Sequence, residues 1–142
     1  MSDKVGVVKK LFVSTEDMRL SKEIVELDKD GVLGDKFYAK NSSRAILITS
    51  LDSYKIAKEN SIEINFSDLG ENILIDINPY HLKIGDKVYI GDVILEITHN
   101  CTLCKSLAKV DEKLPTILKN DRGIFARTVK SGIVKIDDKV II

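Results

Sequence analysis

Short runs of apolar and β-branched residues recur along the chain and predict a strand-rich fold. Strands are predicted at 5–13, 23–28, 44–50, 70–77, 123–129 and 139–142. The run "RAILITS" at 44–50 is typical of a strand buried on both faces. Two further runs flank Gly91 and Asp92, and this pair favours a tight hairpin over residues 87–98.

Helical spacing occurs in two places. Apolar residues in "LDSYKIAKEN" predict one helix over 51–60, with Asp52 or Ser53 as its cap. The segment 106–120 predicts one or two short helices around Pro115. Elsewhere, Gly31 and Gly34 predict turns after the strand at 23–28. Many short strands and few helices favour a β-barrel or sandwich over a doubly wound fold. The 142 residues are expected to form a single domain over 1–142.

Composition narrows the classes of partner. Lys plus Arg and Asp plus Glu both number 22, and this balance argues against general attraction to nucleic acid or anionic membranes. No stretch approaches the ~20 apolar residues of a membrane span. The N-terminal segment lacks a hydrophobic signal core, so a cytoplasmic location with reduced thiols is expected.

The segment "THNCTLCKSL" at 98–107 holds both cysteines, Cys101 and Cys104. A structural zinc site is disfavoured because no second ligand pair accompanies them. A thioredoxin-like pair is disfavoured because a βαβ context is missing. Two interpretations fit the spacing equally well. One is a reactive thiolate at a strand end, stabilised by nearby cations, and the other is a pair of buried, inert thiols.

Several polar residues stand in or beside apolar strand runs. Glu71 and Asn72 precede a predicted strand, where their side chains are able to hydrogen-bond a polar ligand. Arg44 and Arg127 lie within apolar runs, so each either grips a carboxylate or an anionic ligand or points to water. Arg122 lies on a loop, where a solvated charge is the default interpretation. Most of the glycine–acid pairs are typical of turns.

Taken in order, the motifs resemble the MOSC domain, a family named for the C-terminal domain of molybdenum cofactor sulfurase. The resemblance spans about residues 5–142 and rests on "DGVLGDKFYAKNSSRAILI", "DLGENILI", "LKIGDKVYIGDVILEIT", the cysteine segment and "RGIFARTVKSGIVKIDDKVII". It implies a mainly β fold: a closed strand-rich barrel of complex topology, similar to the pyruvate-kinase barrel, with one to three short helices.

The resemblance also suggests site residues. Cys101 takes the place of the family's cysteine after the "VLEVT" strand, with Asn100 where a proline is common. Cys101 is therefore expected to carry a persulfide or to ligate molybdenum, and Cys104 to resolve the persulfide or support the site. The remaining matched positions are expected to bind the pterin and its phosphate: Arg44, Glu71, Asn72, Arg122 and Arg127.

Three functional hypotheses follow from the resemblance. The first is a protein that binds the molybdenum cofactor, carries sulfur, or both, served by a sulfurtransferase or cysteine desulfurase. The second is a non-catalytic accessory barrel for a molybdenum enzyme. The third is a molybdenum-dependent reductase of N-hydroxylated compounds, which needs a separate electron-donor protein. Neither a zinc site nor a pyridoxal-phosphate site is expected in this chain.

Overall fold

A computed structural model describes residues 4–100, 111–119 and 121–142 of the chain. The fold is mainly β, with 43% of residues in strands and 12% in helices. The strands are β1 Val5–Ser14, β2 Arg19–Lys22, β3 Ile24–Asp28, β4 Gly31–Val32, β5 Ile46–Ser50, β6 Ile73–Ile75, β7 Lys87–Ile90, β8 Val93–Asn100, β9 Ile124–Lys130, β10 Gly132–Lys135 and β11 Lys139–Ile141. Helix α1 is Leu51–Glu59, helix α2 is Leu114–Ile117, and a 3-10 turn covers Ser42–Arg44.

Seven strands close into a barrel in the order β1-β6-β5-β9-β8-β7-β11, and β11 pairs back to β1. The closure confirms the predicted barrel. The β5–β6 pair is parallel and the other pairs of the barrel are antiparallel. The predicted hairpin at 87–98 is also confirmed: β7 and β8 pair through Ile90 and Val93, and Gly91 between them has a φ of 56°.

One hydrophobic core fills the barrel and a second one covers part of its outer wall. The first contains alternate residues of the strands, such as Ile46, Ile48 and Ile124. The second joins Leu74 of β6 to Tyr54 and Ala57 of α1 and to residues of α2. All five residues of β5 are buried, because the barrel core lies on one face and α1 with α2 on the other, as its continuous apolar run predicts.

Helix α1 crosses over between the parallel strands β5 and β6 and confirms the predicted helix. Its N-cap is Ser50, whose hydroxyl accepts the Asp52 amide at 3.1 Å, so the prediction of Asp52 or Ser53 as the cap was wrong. Helix α2 contains Pro115, in agreement with a short helix there. In the described part of the chain, no helix has the length and hydropathy that crossing a membrane requires.

Three short strands were not predicted. Strand β2 is mostly polar and pairs only with the end of β1. Strands β10 and β4 flank β3 in a small separate sheet. Gly31, predicted in a turn, lies in β4 with a φ of 125°, whereas Gly34 follows β4 in a turn as predicted. These strands escape detection because two to four residues carry too little alternation to predict a strand.

Candidate functional site

The strand that leads into the cysteine segment ends at Asn100. Asn100 pairs with Ile124 of β9, and Ile124 pairs with Ile48 of β5, so the three residues lie in one row across adjacent strands. At the spacing of neighbouring strands, Asn100 and Ile48 are about 10 Å apart. Cys101 follows Asn100 in the sequence, but Cys101 and Cys104 lie outside the described residues.

Glu71 is the most unusual polar residue beside this row, because its carboxyl is completely buried, with 0% of the residue exposed. Its Oε2 accepts hydrogen bonds from the Thr49 hydroxyl, at 2.9 Å, and from the Tyr54 hydroxyl. Its Oε1 is buried and has no hydrogen-bond partner among the described residues. Burial raises the pKa of the Glu71 carboxyl, and the Tyr54 hydrogen bond only partly opposes this.

Asn72, the neighbour of Glu71, holds strands together. Its Oδ1 accepts the Leu47 amide at 3.1 Å, and its Nδ2 donates to the Phe12 carbonyl at 3.2 Å and to Asp35 Oδ1 at 3.1 Å. Both N–H groups of the amide are thereby used, and Oδ1 retains one lone pair. Asn72 is therefore a bridge between β1, β5 and Asp35 in this structure, and its contact with a cofactor stays a prediction.

Arg122 is buried, with 7% of the residue exposed. Its Nη2 donates to the Leu69 carbonyl at 3.2 Å, two residues before Glu71. The default interpretation of Arg122 as a solvated loop charge was therefore wrong. The arginine lies between Asp121 and Gly123, just before β9, so the end of β9 that receives Asn100 also carries a buried guanidinium.

Gly123 brings the strand ends close together. A Cβ at this glycine would lie 2.9 Å from Leu47 Cδ1 and 3.4 Å from Thr49 Cγ2. Since Thr49 donates to Glu71, the turn before β9 and the Glu71 carboxyl contact the same threonine. The structure thus groups Arg122 and Glu71 around the end of β5.

Arg44 and Arg127 lie on the outside of the barrel. Arg44 ends the 3-10 turn two residues before β5 begins, so its predicted place in the strand was wrong. It is exposed, and its guanidinium lies 5.7 Å from the centre of the Phe125 ring. Phe125 also pairs with His99 of β8. The ring under Arg44 is thus paired with the residue that precedes Asn100. An exposed guanidinium at this place is suited to contact an anionic ligand.

Arg127 has a carboxylate partner. It pairs with Glu96 across β8 and β9, with Nη2 2.6 Å and Nε 3.0 Å from Glu96 Oε2. The hydrogen bond from Arg127 lowers the pKa of the Glu96 carboxyl. The two possibilities stated for Arg127 are therefore resolved in part: it is exposed on a strand and grips a carboxylate of its own chain, while ligand contact stays a prediction.

Sequence reasoning missed three residues that shape the site: Thr49, Tyr54 and Asp35. Thr49 stands in an otherwise apolar run, and a hydroxyl in a fully buried strand requires a partner, which would have been the signal to follow. Tyr54 was predicted on the apolar face of α1, where its ring does pack, but its hydroxyl reaches Glu71. Nothing in the sequence indicates that Asp35 accepts the Asn72 amide.

Metal-binding chemistry has no support from the described residues alone. Among residues 4–100, 111–119 and 121–142, no three His, Cys, Asp or Glu side chains are grouped as metal ligands. What the described part provides is a buried carboxyl with an unused oxygen, a buried guanidinium and an exposed one, all near the strand that precedes Cys101. This combination suits a polar organic ligand that carries an anionic group.

Comparisons with solved structures show the same fold in several bacterial proteins. The YuaD protein of Bacillus subtilis superposes with a TM-score of 0.86 at 16% identity, covering 99% of this chain and 96% of that one. YiiM of Escherichia coli gives a TM-score of 0.68 at 18% identity, covering 100% and 70%, respectively. YiiM of Geobacillus stearothermophilus gives 0.66 at 13% identity, covering 96% and 73%.

The sequence itself places the chain in a family. No curated protein matches it significantly. The family model described as MOSC domain matches residues 29–141, about four fifths of the chain, and this range contains every candidate site residue. The fold, the motif order and this match agree, and the chain belongs to the MOSC domain family.

Proposed function

We propose that this protein binds the molybdenum cofactor and uses Cys101 to carry sulfur or to ligate molybdenum. The family is generally associated with functions related to molybdenum cofactor sulfurase. One observation of the structure supports the proposal: strand β8 ends at Asn100, the residue before Cys101 in the sequence, in the row of Asn100, Ile124 and Ile48 beside the buried Glu71 and Arg122.

The described residues fit a pterin with a phosphate. A pterin ring has an edge of N–H groups, and the unused Oε1 of Glu71 is an acceptor for such a group. Arg122 and Arg44 supply guanidinium groups, whose fork matches phosphate oxygens. When bound, the cofactor would supply oxygen- and sulfur-transfer chemistry at molybdenum, and this chain's own residues would bind and orient the pterin.

Sulfur transfer to Cys101 requires a partner with a persulfide, such as a sulfurtransferase or cysteine desulfurase. The Cys101 thiolate attacks the outer sulfur of the donor persulfide, a new S–S bond forms, the donor's S–S bond breaks, and the donor thiolate leaves. Cys104 then attacks the sulfur of Cys101, which forms a Cys101–Cys104 disulfide and releases hydrosulfide. Neither step needs an external oxidant, because the persulfide already holds sulfur at the required oxidation level.

The test is to produce the protein in a host that makes the cofactor and to measure molybdenum, pterin and cyanide-labile sulfur per chain. We expect molybdenum and pterin in near-equal amounts in the wild-type protein, and a loss of labile sulfur in Cys101→Ser. Cys104→Ser should retain the persulfide on Cys101, because the resolving thiol is missing. Glu59→Gln, which changes an exposed carboxylate at the end of α1, is the control and should behave as wild type.

Two results would remove this function. Wild-type protein that holds no molybdenum and no pterin, and that gains no labile sulfur from a persulfide donor, would be an accessory barrel with inert cysteines. Normal or slow alkylation of Cys101, with a thiol pKa near 8.5, would point the same way.

A further inference from the structure

The Glu71 carboxyl has an asymmetric environment that its role in the fold does not explain. Oε2 accepts from two hydroxyl groups, those of Thr49 and Tyr54. Oε1 is buried and has no partner in the described part of the chain. A buried carboxylate oxygen without a donor is strongly unfavourable, and the group avoids this penalty by keeping its proton. Because Oε2 already accepts twice, the proton belongs on Oε1.

The titratable groups around Glu71 favour the same state. Tyr54 faces it from α1 and Tyr80 from the segment after β6, and burial raises the pKa of both phenols, so both remain neutral. Arg122 lies before β9 and its Nη2 donates to Leu69. Burial raises the pKa of Glu71 itself, and the hydrogen bonds from Tyr54, from Thr49 and from the Glu71 and Ser67 amides only partly oppose this.

The loop of residues 65–70 covers Glu71, and its Phe66 and Ser67 have weak attachments. The Ser67 amide donates to the Tyr54 hydroxyl at 3.1 Å, and the Phe66 ring meets the Tyr54 ring edge-on with centroids 5.0 Å apart. Two backbone hydrogen bonds are internal to the loop, from Asp68 to Asn65 and from Gly70 to Ser67, whereas Leu69 anchors its far end: the side chain is buried in the second core and the carbonyl accepts from Arg122. The hydrogen bond of Ser67 and the ring contact of Phe66 are each worth about 1 kcal/mol, so a ligand displaces these two residues at low cost while Leu69 stays in the core.

We propose that Glu71 is a proton-linked anchor for a ligand edge with adjacent N–H groups, such as the 2-amino-4-oxo edge of a pterin. The proposal rests on the proposed function and names the part of the ligand that Glu71 contacts. In the free protein Glu71 is an uncharged acid. When the ligand donates an N–H group to Oε1, the carboxyl proton leaves to solvent, so one proton is released for each ligand bound.

Free pterin is the probe, since it carries this edge without molybdenum, sulfur or phosphate. Infrared spectra of the ligand-free protein over a pH series should contain a protonated-carboxyl band that Glu71→Gln lacks and that persists above the ordinary glutamate pKa of 4.5. Calorimetric titration with pterin, in two buffers of different ionisation enthalpy, should show one proton released by wild-type protein and none by Glu71→Gln. The affinity of Glu71→Gln should be about 10- to 100-fold weaker, because a charge-assisted hydrogen bond is lost.

Glu59→Gln is the matched control, with the same chemical change on an exposed carboxyl, and should retain both the band and the proton release. The proposal is overturned if the wild-type band is absent, if the band persists at saturating pterin with no proton released, or if wild-type protein does not bind pterin. A band that persists would mean that Glu71 donates to a ligand oxygen or ring nitrogen instead. Each of these results leaves the proposed function intact, because molybdenum loading and labile sulfur are measured separately.

Discussion

Replacing Asn72 with alanine should destabilise the protein severely, because the Asn72 side chain bridges strands that only the fold brings together. Truncation removes the acceptor of the Leu47 amide and the donor to the Phe12 carbonyl. The backbone pairing nearby is unaffected: the Asn72 amide still donates to the Leu47 carbonyl at 2.9 Å, and the Phe12 amide to the Asn72 carbonyl at 2.8 Å. The change therefore isolates the side chain.

The magnitude follows from the groups left without partners. Asn72 is 6% exposed, so water does not easily replace its amide. The Leu47 N–H and the Phe12 C=O each lose a buried partner, at about 1–3 kcal/mol apiece. Asp35 loses less, because its carboxylate still accepts the Ser14 amide at 2.7 Å and the Phe37 amide at 3.0 Å. The sum is about 2–6 kcal/mol, a large part of the ~5–15 kcal/mol that holds a typical domain folded.

Urea unfolding followed by circular dichroism measures this change as a shift of the midpoint. With a slope of about 2 kcal/mol per molar urea, the midpoint should fall by roughly 1–3 M. Asn78→Ala is the matched control: Asn78 is half-buried, donates to Asp52 and accepts from the Tyr80 amide, and should lose about 1 kcal/mol. A loss below about 1 kcal/mol in Asn72→Ala would refute the reasoning and favour a role for Asn72 in ligand contact.

Three further predictions follow. Ser50→Ala removes the cap that accepts the Asp52 amide at 3.1 Å, and thermal unfolding should show a loss of about 1 kcal/mol. The folded-state pKa of Glu71 is raised above its ordinary 4.5, so its ionisation opposes folding as pH rises from 4.5 through the raised pKa. Urea unfolding should therefore show Glu71→Gln gaining stability relative to wild type over that range, and a constant difference would contradict this. Arg127→Ala breaks only an exposed pair with Glu96, and urea unfolding should change by less than about 1 kcal/mol.

The fold was largely predictable because its longer strands and its helix carry strong periodicity. The run at 44–50 became the fully buried β5, and the residues around Gly91 became a hairpin. The polar edge strand Arg19–Lys22 was not predictable, since its pairing with β1 depends on tertiary contact and not on its own pattern. Gly31 was predicted in a turn but lies in β4 with a positive φ. A glycine in the sequence does not distinguish the two cases, because it is suited to a positive φ in a turn and in a short irregular strand alike.

The residues of the candidate site were predictable from the sequence, but their burial and their hydrogen-bond partners were less so. An arginine in a loop is usually solvated, and only the fold shows that Arg122 is buried against the Leu69 carbonyl. Likewise, an arginine in a strand is ambiguous until its cross-strand neighbour is known, and for Arg127 this neighbour is Glu96. Sequence spacing does not contain these long-range pairings, so it identifies polar residues at strand ends but not their partners.

Glu71 and Asn72 show most clearly why a polar pair in the sequence need not act as a pair. Successive residues of an extended chain point in opposite directions. Glu71 accordingly contacts Thr49 and Tyr54, whereas Asn72 contacts Phe12 and Asp35. Both amide N–H groups of Asn72 are used within the fold, but Glu71 retains a buried oxygen that no described residue satisfies. Of the two, Glu71 has the unmet hydrogen-bonding capacity that a ligand would fill, and Asn72 fixes the strand end that holds Glu71 in place.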